Sequence, residues 1–117
     1  SDDGGRHFGP PVRVDEGAPL GRVQLTLLEG HDALVVWLEV REKDALIQAR
    51  RVTPGGTIGP VTTVARPAAA RSSGFPRVAR AGDRVILAWT DGGKPARVRT
   101  AMARFTPPVR PRRSTVL

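Results

Sequence analysis

The stretch that decides the fold is "GRVQLTLLEGHDALVVWLEV" (21–40), because it lies without a gap over "SGFPRVARAGDRVILAWTDG" (73–92). Trp37 then meets Trp89 and Gly30 meets Gly82, an offset of 52 residues. A one-residue change of offset sets "LIQARRVTP" (46–54) over "RTAMARFTP" (99–107), so Ala49, Arg51, Thr53 and Pro54 meet Met102, Arg104, Thr106 and Pro107. A period of about 50 residues is far from that of helical solenoids and belongs to repeats built from strands.

Working outward, "RVQLTLL" alternates, Glu29-Gly30-His31-Asp32 supplies turn chemistry, and "ALVVWLEV" follows as a β-branched and aromatic run. That predicts a hairpin. "ALIQARRV" is a third strand, "TPGGTIG" breaks it, and "PVTTVA" is a short fourth. The apolar run Ala33–Leu38 is nearly continuous, which suits a middle strand covered on both faces. No segment carries a helical period. The predicted class is all-β and propeller-like, with about eight short antiparallel strands.

Composition excludes several functions. With no cysteine in 117 residues there are neither disulfides nor thiolate metal sites, and His7 and His31 stand in separate segments without ligand spacing. No metal or other cofactor is implied. No apolar run is long enough to span a bilayer as a helix. The net charge of +8 is regional: residues 1–44 hold nine acids against five bases, and residues 45–117 hold fourteen bases against two acids. All but two of the bases are arginine, in an Ala-, Gly- and Pro-rich chain typical of a GC-rich bacterial gene. Few aromatics interleave with them, which argues against nucleic-acid binding.

The N-terminal "SDDGGRHF" reads as Ser1-x-Asp3-x-Gly5-x-x-Phe8. This resembles the Asp-box of bacterial sialidases (neuraminidases) and related β-propellers, a turn between the third and fourth strands of a blade. In that turn Asp3 and Ser1 accept backbone N–H groups, Gly5 permits positive φ, and Phe8 is expected to pack into the blade. "TPGGTIG" keeps the glycines Gly55 and Gly56 but has no Asp and no aromatic. The resemblance implies a partial propeller over residues 1–105: a fourth strand at 1–14, one full blade at about 22–65, and three strands of the next at about 75–80, 84–90 and 97–105. A Pro/Arg-rich tail follows at 106–117.

Sialidase chemistry, as the family implies it, needs a tyrosine nucleophile, and this chain has no tyrosine. The expectation is a noncatalytic part of such a propeller, from a secreted or periplasmic protein. Ligand contacts are expected on the face opposite the box, at Arg22, Glu39, Arg71, Arg77 and Asp91, with Glu42 nearby. Glu39 and Asp91 each follow a tryptophan by two residues, and the plainer reading of both is a charged strand end that keeps a loop soluble and its edge unpaired. Both tryptophans are read as core rather than as sugar platforms. The partners considered are a glycan, the remaining blades of a longer chain, or further copies of this one. Three copies would close a six-bladed ring. An interaction scaffold, or a weak nucleic-acid binder using the basic half, is the last alternative.

Overall fold

A computed structural model describes residues 1–17, 19–68 and 73–105. It contains seven antiparallel strands and no helix among these residues: β1 (Pro19–Leu27), β2 (Ala33–Arg41), β3 (Asp44–Val52), β4 (Thr62–Ala65), β5 (Gly74–Ala81), β6 (Arg84–Asp91) and β7 (Arg97–Arg104). They form a four-stranded sheet in the order β1-β2-β3-β4 and a three-stranded sheet in the order β5-β6-β7. Neither sheet closes on itself. The all-β class is therefore as the sequence predicts.

The repeat is visible in the backbone. Gly21 faces Leu38 across a bulge in β1, and Gly74 faces Thr90 across a bulge in β5. Each glycine and the residue after it has positive φ: 78° and 54° for Gly21 and Arg22, 94° and 40° for Gly74 and Phe75. Two sheets thus carry the same bulge at the same register, opposite residues that the 52-residue offset equates. In the third strand of each sheet the sequence alignment is two residues out. Val36 pairs with Ala49 and Ala88 with Thr100, so the ladder equates Ala49 with Thr100 and not with Met102. A slip of two keeps every side chain on its own face, so the hydrophobic pattern tolerates it.

One face of the larger sheet, with Leu34, Val36, Leu38, Ile47 and Ala49, packs on the face of the smaller sheet that carries Val85, Leu87 and Trp89. The other face of the larger sheet carries Val35, Trp37, Glu39, Leu46, Gln48 and Arg50, all buried. Residues 12–16 lie over it. Arg50 donates to the Val14 carbonyl (2.7 Å) and the Glu16 carboxylate (2.5 Å), and the Glu16 N–H donates to Glu39 (3.4 Å). The continuous apolar run of β2 is covered on both sides, by the second sheet and by this segment.

No described strand falls at 1–14, where the fourth strand is expected: residues 1–17 make a turn and then run on outside any strand, so the described strands number seven. A strand exists only through a ladder, and no described strand runs beside this segment. The expected tail at 106–117 lies outside the described residues.

Candidate functional site

The N-terminal turn is built from side-chain oxygens. Asp3 Oδ1 accepts the His7 N–H at 2.9 Å, Oδ2 lies 2.6 Å from His7 Nδ1, and Ser1 Oγ accepts the Gly5 N–H at 2.9 Å while donating to Asp3. Gly4 and Gly5 take φ of 72° and 86°, which glycine adopts without steric cost. The His7 ring, then its amide, then the Ser1 hydroxyl hold the Asp3 carboxyl below the ordinary carboxylate range. Phe8 departs from expectation, being 79% exposed rather than packed. The face it would have packed on is not supplied by any described element.

The turn in "TPGGTIG", which the sequence marks as a degenerate copy of the box, is capped in the same way. Thr53 Oγ1 accepts the Thr57 N–H at 3.0 Å, the same four-residue span as Asp3 to His7. A hydroxyl stands in for the carboxylate. An offset of 50 then sets Phe8-Gly9-Pro10 over Ile58-Gly59-Pro60, and residues 12–15 over β4. That tripeptide adds to the glycines Gly55 and Gly56 as a mark of the equivalence.

The predicted ligand residues divide. Arg22 and Arg77 come together with Gln24, Phe75 and Pro76 around a small cavity of about 160 Å³ at the bulge end of the two sheets. The Arg22 guanidinium lies 3.9 Å from the centre of the Phe75 ring and donates to the Ser73 carbonyl at 2.9 Å. Such stacking holds the cation in place while its remaining N–H groups stay free to donate. Phe75 is half exposed.

Glu39 is not a solvated strand end. It is 1% exposed, on the opposite sheet face, where it accepts from the Trp37 indole N–H (3.4 Å) and lies 3.3 Å from Arg41 Nε. Its position two residues after Trp37 puts it on the tryptophan's face, and residues 12–16 close over both. Glu42 occupies the tight β2–β3 turn with φ of 56°. Asp91 ties down loops: Oδ1 accepts from the Ala68 N–H (3.2 Å) and Oδ2 from Arg99 Nε (3.0 Å). The Ala68 amide first and Arg99 second lower its pKa from the ordinary carboxylate value. Arg71 lies outside the described residues.

Both tryptophans are core, Trp37 at 2% and Trp89 at 7% exposure, so neither offers a face to a sugar. Among the described residues no three His, Cys, Asp or Glu side chains gather as a metal site, and no helix is long and apolar enough to cross a membrane. An apolar cavity of about 200 Å³ between the sheets is walled by Leu34, Ala49, Val64, Leu87, Ala101 and Phe105 and belongs to the core. Comparisons with protein-family models, with curated proteins and with solved structures find no match to this chain.

Proposed function

We propose that this chain is a noncatalytic pair of blades of a sialidase-like, Asp-box β-propeller. The observation that carries the reading is the sense of stacking. By the 52-residue offset Val35 and Trp37 correspond to Leu87 and Trp89. Trp89 looks towards the larger sheet, and Trp37 looks away from it on the far side of that sheet. Successive sheets therefore face the same way, as blades in a ring must. The oxygen-capped turns at 1–7 and 53–57 and the paired glycine bulges support the same reading. Without a tyrosine the pair supplies no nucleophile of the sialidase kind. Incubated with a fluorogenic sialoside, the chain should release no fluorophore above buffer. Turnover that scales with protein and survives repurification would overturn the noncatalytic assignment.

A second reading, a small glycan-binding module, is favoured by the cavity at Arg22, Phe75 and Arg77. Two guanidinium groups beside an aromatic ring select an acidic sugar over a neutral one. Its test is a glycan array probed with the full chain. Retention of uronic- or sialic-acid glycans that Arg22→Ala abolishes supports it, and a blank array removes it.

A further inference from the structure

The contact between the two sheets uses different surfaces on its two sides, so it leaves two surfaces unused. On the smaller sheet the outward face carries Ile86, Val98 and Met102, exposed by 46%, 74% and 64%. The second-strand offset equates Ile86 with Leu34, and the ladder equates Val98 with Ile47. Leu34 and Ile47 are buried at the existing contact. On the larger sheet the Trp37 side is incompletely covered: Val23, Leu25 and Leu27 of edge strand β1 are more than half exposed. By the ladder Leu25 corresponds to Val78, which packs into the existing contact from the other side.

We infer that the outward face of β5–β7 docks on the Trp37 side of β1–β4 in a second copy of this chain, repeating between molecules the contact already made within one. A contact between unlike surfaces is open-ended, and it yields a ring or a filament according to its rotation. The occupant follows from three features. Each half of the new contact is the repeat equivalent of a half that already fits its counterpart. The charges are complementary, since residues 1–65, which hold the receiving sheet and its covering segment, carry nine acids against seven bases, and residues 74–104, which hold the docking sheet, carry seven bases against two acids. The segment 12–15, equivalent to β4, lies on the receiving face, where a docked sheet would bring the open edge of β7 alongside it. The inference rests on the stacking of the sheets and is independent of any sialidase resemblance or sialoside assay.

The test uses two surface variants of the full chain. Met102→Glu blocks the outward face of the smaller sheet, and Leu25→Glu blocks the receiving face of the larger one. Size-exclusion chromatography with light scattering should give the wild type a mass at least twice the 12.5 kDa of one chain. Each variant alone should fall to the single-chain mass. Mixed in equal amounts they retain one good surface each, so the mixture should return to two chains and grow no further. Ile86→Glu with Val23→Glu repeats the test should circular dichroism show that a member of the first pair has lost its strands. A wild type at the single-chain mass throughout, folded variants that associate like the wild type, or a mixture that stays at the single-chain mass would each overturn the inference.

Discussion

Asp3 holds its turn through contacts that water reaches, and this sets what its loss can do. In Asp3→Ala the His7 amide loses its acceptor and should exchange with solvent much faster, while the melting temperature stays within a degree or two, as surface changes usually do. A large fall in melting temperature would mean that the turn supports the core. The same carboxylate, like that of Asp91, has its pKa lowered in the fold, so its contribution is complete above the ordinary carboxylate value of about 4. It is lost as pH falls through the lowered value. The amide shift of Ala68, followed by NMR from pH 7 to pH 2, should therefore hold steady to below pH 4 and then move. Movement centred between pH 5 and 6 would contradict the geometry. Glu39 shows the limit of residue-scale reading: its burial depends on Glu16 and Arg41, and no rule of spacing joins Glu16 to Glu39 across 23 residues.

Among the elements, the strands were legible because β-branched runs, turn residues and the 52-residue offset agree, and β1 to β7 fall within about three residues of the predicted bounds. The unpaired segment 9–17 was not, because its sequence reads as a strand while no partner lies beside it. Nor was the slip of two in β7, since it preserves the alternation of faces. The bulges give a sharper test of the repeat. Both Gly21 and Gly74 have positive φ, but a Cβ at Gly74 would lie 2.9 Å from Leu38 Cδ2, whereas one at Gly21 meets nothing within 4 Å. Gly21→Ala should therefore cost only the backbone term, about 1 kcal/mol. Gly74→Ala adds overpacking of the core and should cost roughly 2–4 kcal/mol. Urea denaturation of the two variants measures the difference. Equal losses would place β5 away from Leu38.

At the scale of the molecule, the two sheets behave as successive members of a series, each presenting its tryptophan side in the same direction. Trp89 is buried by the neighbouring sheet, and Trp37 by residues 12–16. The arrangement explains why a chain rich in buried apolar residues also exposes Leu25, Leu27, Ile86 and Met102: each lies on a surface whose repeat equivalent is covered. It also explains why the charged residues Glu39 and Arg50 are tolerated inside, since the covering segment brings Glu16 and the Val14 carbonyl to meet them.

The stacking sense is tested most directly by the accessibility of the two tryptophans, read separately in the single-tryptophan variants Trp89→Phe and Trp37→Phe, each carrying Met102→Glu so that no second copy covers the Trp37 side. Residues 1–14 are then deleted from each, removing Val12 and Val14 from the wall around Trp37. Trp37 emission should shift to the red and become quenchable by acrylamide, while Trp89, held between the sheets, should keep its blue emission and resist quenching. If Trp37 stays protected without the segment, or Trp89 is exposed in step with it, the two sheets do not face the same way.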